Sequence, residues 1–248
     1  MQPTKEWLEL YGRKRLLMVC GTDLNAYFTA DEIAGKKLDR LSVGVVSLPS
    51  GEIIVCDPLV YLDDASPYFR AVPPGEYEVT LAVVAPDDGD CARYAAARVR
   101  FSDAEAVRYE EALAGDEDLH EVNEQGEGFG FCVDAGLGCI CDVKARDAYL
   151  AFAKDWYDKA DESDDLYTNY FADLLSENAK TNPLYQRDGG DWLNWQVPGT
   201  DYHIPIFASG FGDGFYPVWF GFGADGNICS LVVQFIDIEA AYGEEKEP

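Results

Sequence analysis

From Leu41 to Phe101, and again from Ile204 to Phe235, the chain is a series of short β-branched and aromatic runs separated by Pro, Gly and Asp turns, with no amphipathic helix between one run and the next. Parallel neighbours need crossovers of about a dozen residues, usually helical, whereas antiparallel neighbours need only a turn. The pattern therefore predicts hairpins. Leu41–Leu48 runs through Pro49-Ser50-Gly51 into Glu52–Cys56, a predicted hairpin whose second arm ends at Asp57-Pro58, since proline cannot donate to the ladder. Pro73-Pro74-Gly75 launches Tyr77–Val84, in which Tyr77, Val79, Leu81 and Val83 alternate. Ala92–Phe101 follows with Ala95, Ala97, Val99 and Phe101 on one face, which predicts a second antiparallel pair joined by the loop Pro86–Asp90. Near the end come Ile204–Ala208, Phe215–Phe222 and Ile228–Phe235. The last two are joined through Asp225-Gly226, the strongest short hairpin signal in the sequence.

Helical periodicity is confined to fewer places. Residues 6–11 and 30–35 read as short helical turns. Ser102-Asp103-Ala104-Glu105 has the form of a capping box and predicts a helix to about Leu113, with Ala106, Tyr109 and Leu113 inward. Residues 115–128 read as an acidic loop, and Phe129–Asp134 and Cys139–Val143 as short strands joined by Ala135–Gly138. Tyr149, Phe152, Ala153, Trp156 and Tyr157 share one helical face, as do Tyr167, Tyr170, Phe171, Leu174 and Leu175. Asn182-Pro183 closes the second of these helices, and residues 186–202 read as irregular. The fold class is α+β: mostly antiparallel sheets, sandwich-like, with about three helices in one compact unit. Residues 1–40 form short helices and loop, 41–236 the core domain and 237–248 an acidic tail.

Charge narrows the function classes. The 248 residues carry 46 Asp and Glu against 19 Lys and Arg, a net charge of −27, with 48% hydrophobic residues. That apolar fraction is too high for intrinsic disorder. A chain of this size buries roughly 75% of its unfolded surface. Phosphates meet such a field as repulsion, so neither nucleic acid nor an anionic membrane is an expected partner. The acids concentrate in residues 103–127, 155–165 and 237–248, and the bland reading is solvated faces. The sharper one is a docking surface for a basic protein. No apolar stretch reaches the ~18 residues of a membrane span. The apolar run Leu16–Cys20 is shorter than a signal-peptide core, so a cytoplasmic location is expected. Seven irregularly spaced cysteines, several inside apolar runs, predict free thiols rather than a disulfide framework.

Candidate chemistry is sparse. Ser209-Gly-Phe-Gly-Asp-Gly-Phe-Tyr-Pro217 is the most distinctive stretch. Its amides could form an anion-binding nest, or the segment is a tight bend with Asp213 bonding local amides. Ser209, Gly210, Gly212, Gly214, Tyr216 and Trp219 are the candidate binding residues. Asp134 and Asp142 bracket a turn-containing segment, and with Asp57 and Asp213 they are the candidate catalytic residues, as an acid/base or metal cluster. Cys139-Ile-Cys141 places two thiols on one strand face, but zinc sites use C-x2-4-C pairs, so neither a metal site nor any cofactor is expected. His203 and Ser209 lie about 20 Å apart along a straight strand, too far for a Ser-His-Asp arrangement.

At several of these residues the chain resembles a bacterial family catalogued only as a domain of unknown function, DUF4241. The matching pieces are Val55-Cys-Asp57-Pro58, Val72-Pro-Pro-Gly75 with Tyr77, Ala96-Ala-Arg-Val99 with Phe101, Gly130 with Val133-Asp134-Ala-Gly136 and Asp142, and Ser209-Gly210 with Gly212-Asp213-Gly214 and Tyr216-Pro-Val218. Asp225-Gly226 and Phe235 complete a series covering about residues 40–236. Tyr109 stands where that family often has Trp, and Gln234 where it often has Asp. The resemblance implies no activity, cofactor or catalytic residue. The leading expectation is a non-enzymatic acidic protein-binding module with an exposed aromatic patch, immunity- or antitoxin-like by analogy. The alternative is a carboxylate- or metal-dependent hydrolase using Asp134 and Asp213. The oligomeric state is left open.

Overall fold

The structure is a computed structural model and describes residues 2–87, 91–120, 122–123 and 128–243. Parts of the Pro86–Asp90 loop and of the acidic loop at 115–128, and the acidic tail beyond residue 243, lie outside the described residues.

Thirteen strands among the described residues form sheets of seven, four and two strands, all paired antiparallel. The large sheet runs β1 (Glu32–Ile33), β2 (Lys36–Leu48), β4 (Gly75–Val84), β5 (Arg93–Arg100), β13 (Ile228–Gln234), β12 (Val218–Phe222) and β6 (Arg108–Glu111). The second sheet runs β3 (Ile53–Cys56), β8 (Leu137–Asp142), β10 (His203–Ala208) and β9 (Trp192–Gln196). A ribbon pairs β7 (Phe131–Val133) with β11 (Gly214–Tyr216). The helices are α1 (Lys5–Lys14), α2 (Val143–Tyr157), α3 (Ala172–Thr181), preceded by a π turn at Tyr167–Phe171, and α4 (Ile238–Tyr242). This is the expected mostly antiparallel α+β architecture.

The four-stranded sheet is the middle layer, and its alternation shows why. Ile53, Val55, Ile140 and Phe207 join the core shared with the large sheet. Their neighbours Ile54, Cys56, Cys139, Cys141 and Ile206 join a second core with Tyr149 of α2, Phe171 and Leu175. A strand covered on both faces needs no polar side, so β8 is buried along its whole length. All seven cysteines are free, as expected. Hydrogen bonding with Cys139, reinforced by burial, pushes the Cys56 and Cys141 thiols up. A third, smaller core forms where α1 lays Tyr11 beside Met18, Leu113 and Leu119, with Trp7, Phe69 and Phe129 packed around them.

Two of the three expected hairpins, β4–β5 and β12–β13, are present. Five local expectations fail. Phe215–Phe222 is not one strand: proline at 217 divides it between β11, paired with β7, and β12 in the large sheet. The Leu41–Cys56 hairpin is not made: β2 pairs with β4 and β3 with β8. Pro49-Ser50-Gly51 instead carries the chain between sheets. Gly51, at φ +77°, lies so close to the Val72 carbonyl that a Cβ would sit 2.0 Å from the oxygen. Residues 30–35 are not helical. Ala34 and Gly35 both have positive φ, 51° and 74°, which suits a type I′ turn joining β1 to β2.

The capping-box helix is also absent. Ser102 Oγ accepts from the Ala104 amide, a local turn rather than a bond three residues on, and residues 108–111 pair as β6 with β12. A helix cap is worth about 1 kcal/mol, and β6 instead covers what would be an open strand edge. Finally, β9 lies within the segment read as irregular, its pattern masked by Gly189-Gly190 before it and Pro198 after it. Among the described residues no helix is long and apolar enough to cross a membrane.

Candidate functional site

The four candidate aspartates fall into two groups. Asp57, fully buried, accepts from the Leu59 amide through Oδ1 (3.0 Å) and from the Asp134 and Ala135 amides through Oδ2 (3.0 and 2.7 Å). Asp213 accepts from the next amide, Gly136, at 3.0 Å. The Asp134 carboxylate accepts from the Tyr61 hydroxyl, and that hydrogen bond pushes the Tyr61 phenol up to about 12. Asp57, Asp134 and Asp213 thus gather around one turn, residues 134–136, largely by gripping its backbone. Asp142 stands apart at the far end of β8. Its Oδ2 accepts from the Ser50 amide and hydroxyl (both 2.8 Å) and the Gly51 amide (3.0 Å), while Oδ1 caps α2 through the Lys144 amide (2.8 Å). Among the described residues no group of three or more His, Cys, Asp or Glu could hold a metal ion.

The glycine-rich stretch folds as a bend between β10 and β11. Ser209 is buried, its amide donating to the Gly136 carbonyl (3.1 Å) and its hydroxyl to the Gly212 carbonyl (2.7 Å). The Gly212 amide donates back to Ser209 (2.9 Å). The Tyr216 hydroxyl lies 3.0 and 2.7 Å from the Ser209 and Gly212 carbonyls. The Gly210 carbonyl accepts from Arg93, and Gly214 opens β11 opposite Val133. Trp219 sits on β12 with its indole nitrogen donating to Gln234 (3.1 Å), which gives that buried amide a partner.

Two clefts flank this region. The larger, about 470 Å³, is lined by Cys56, Tyr61, Tyr68, Phe129, Cys132 and Phe215. The smaller, about 330 Å³, is lined by Leu17, Met18, Glu111, Phe129, Phe215 and Trp219. Phe129 and Phe215 line both, and Phe215 remains 55% exposed.

The smaller cleft holds a residue whose chemistry the sequence does not single out, Glu111. Glu110 and Glu111 are consecutive on β6 and so point to opposite faces. Glu110 is well matched: it accepts from Tyr11 (3.0 Å) and Arg108 (2.7 Å), with Arg15 at 3.7 Å. Glu111, 8% exposed, accepts only from the Phe129 amide through Oε1 (3.2 Å), and its Oε2 is buried with no partner among the described residues. Burial pushes its carboxyl up to about 7, the Phe129 amide opposing and nearby Glu117 reinforcing the rise. Gly128 makes room for it, since a Cβ there would lie 2.4 Å from Oε1. The signal in the sequence is the acid pair Glu110-Glu111 set between Tyr109 and Ala112-Leu113, which a helical reading of 103–113 conceals.

No curated protein and no solved structure matches the chain. The family scan does give a match, and it spans β3 through most of β13, including every turn-gripping aspartate and both phenylalanines that line the two clefts. The chain belongs to the family described as a protein of unknown function (DUF4241), whose model matches residues 46–233.

Proposed function

We propose that this protein is an acidic binding module that engages a basic protein, with the twin cleft at Phe129 and Phe215 as the anchoring point. The observation that carries the reading is Phe215, a large apolar ring left 55% exposed between two clefts whose walls are more apolar than polar. Leu16 and Leu17 are exposed as well, and Leu17 lines the smaller cleft. Contact hot spots are aromatic groups that fill pockets, ringed by polar residues. The net charge of −27 supplies long-range attraction for a cationic partner and selects against anionic ones. A hydrolase on Asp134 and Asp213 has less support, because Asp213 holds the Gly136 amide and Asp134 the Tyr61 hydroxyl.

The test is fluorescence anisotropy with a labelled peptide of repeated Lys-Ala-Ala units. Affinity is expected to fall at least about tenfold from low to high salt. Phe215→Ala is expected to weaken binding about tenfold at fixed salt, or about 1.4 kcal/mol. Binding indifferent to both salt and Phe215→Ala would refute the proposal.

A further inference from the structure

We propose that the smaller cleft receives a lysine side chain of the partner, with the ammonium seated on Oε2 of Glu111 and the methylene stem lying along Leu17, Met18, Phe129, Phe215 and Trp219. This rests on the reading of the protein as a module for a basic partner and names the group it would take.

Two adjacent carboxylates, Glu110 and Glu111, are unequally matched. Of the nearby cations, Arg108 and Arg15 serve Glu110 and Lys14 serves the His120 and Val122 carbonyls, and among the described residues no Lys or Arg pairs with Glu111. A buried acceptor without a donor costs free energy that a ligand donor returns. The ligand must bring positive charge and hydrogen, and most of the rest of its contact must be apolar, because apart from Glu111 and Asn123 the cleft is walled by aliphatic and aromatic side chains, Pro217 and Gly128. An ammonium on a four-carbon stem has that division, and aromatic walls add cation–π attraction.

Lysine is favoured over arginine by the number of free oxygens. A guanidinium achieves its advantage by bonding both carboxylate oxygens in parallel. Oε1 of Glu111 is already engaged by the Phe129 amide, which leaves one oxygen for a compact point charge. Gly128 fits the same picture: a side chain at that position would push against the carboxylate and move it within the cleft.

Binding then carries a proton linkage. Among the described residues, the groups that act on Glu111 are Glu117, from the turn after β6, and the Phe129 amide, while Cys20, from the segment alongside β6, is raised chiefly by burial and only to a small extent by Glu111. None of these is cationic. With the carboxyl titrating at about 7, the empty cleft holds a proton in slightly acid solution, and an entering ammonium expels it. Lysine itself stays charged to about pH 10. Affinity for the lysine group is therefore expected to rise about tenfold from pH 6 to pH 8, the change in the ionised fraction of a group titrating near neutrality.

The experiment uses the full chain, the labelled Lys-Ala-Ala peptide and its Arg and Nε-acetyl-lysine counterparts, with n-butylammonium as a small probe followed by carbon NMR of the Glu111 carboxyl. The expected result is a loss of about tenfold or more for Glu111→Gln at pH 8, a similar loss for the Arg and acetylated peptides, and a downward move of the Glu111 titration when butylammonium is added. If Glu111→Gln does not fold, the wild-type pH profile and the butylammonium titration decide. Salt-sensitive, Phe215-dependent binding that Glu111→Gln leaves intact, with the same pH profile, would overturn the lysine site and leave the binding module standing. A butylammonium response with no peptide binding would overturn the assignment to a partner's lysine and the module with it. No binding of either probe would overturn both.

Discussion

Asp142, at the junction of β8 and α2, and Glu111, at the edge of the large sheet, are both buried acids. They differ in what surrounds them. Four donors converge on Asp142, three of them backbone amides, and tie the Pro49–Gly51 crossover to the start of α2. Glu111 has one amide and an empty oxygen beside a cleft. A carboxylate whose lone pairs are filled from its own backbone holds the scaffold together. One buried with a spare lone pair costs stability and is a place for something to bind. Burial alone does not separate the two roles; the count of donors does.

The contrast can be broken first at Asp142. Asp142→Ala strands three buried or half-buried amides and a hydroxyl and is expected to cost about 4 kcal/mol, a drop of roughly 12 °C in Tm. A drop of only a degree or two would show that the crossover is held by something else. At Glu111 the effect runs the other way. The folded-state carboxyl titrates at about 7 against an ordinary 4.5, so the native chain keeps a proton that the unfolded chain has lost across that interval. The stability tied to that proton is complete below pH 4.5 and is lost as the pH rises through 7. Glu111→Gln is therefore expected to match wild type near pH 4 and to exceed it by on the order of 2 kcal/mol at pH 8, allowing for water entering the cleft. Denaturant melts at the two pH values check this. The smallest effect belongs to Asp213, which is more open to solvent and holds a single amide. Asp213→Ala is expected to cost about 1 kcal/mol, and a much larger loss would place it with Asp142 as a principal strut.

Much of this architecture was legible because local and long-range demands agreed. In β4 and β5 the alternation of Val79, Leu81, Ala95, Ala97 and Val99 is also the inward face of the sheet, and Asp225-Gly226 closes β12 onto β13 without outside help. Reading failed where a local signal had two tertiary outcomes. Pro49-Ser50-Gly51 can close a hairpin or carry the chain between sheets, and only the distant Asp142 and Val72 decide between them. Ser102-Asp103-Ala104-Glu105 satisfies the rule for a helix start, yet residues 108–111 are drawn into pairing with Val218–Phe222, more than a hundred positions away. The same signal conceals Glu111, because a helix at 103–113 would leave it among solvated acids. The aspartates were visible as residue types, but their partners are backbone amides far along the chain, and no spacing rule encodes those.

The role of the smaller cleft depends on the state of one carboxyl. Carbon NMR of the Glu111 side chain across pH 4–9, assigned by comparison with Glu111→Gln, measures it directly. A midpoint near 7 that falls when butylammonium is added is the predicted result. A midpoint at the ordinary value of 4.5, unmoved by the amine, would mean that the carboxylate is already satisfied and that the cleft is not a site for a cation.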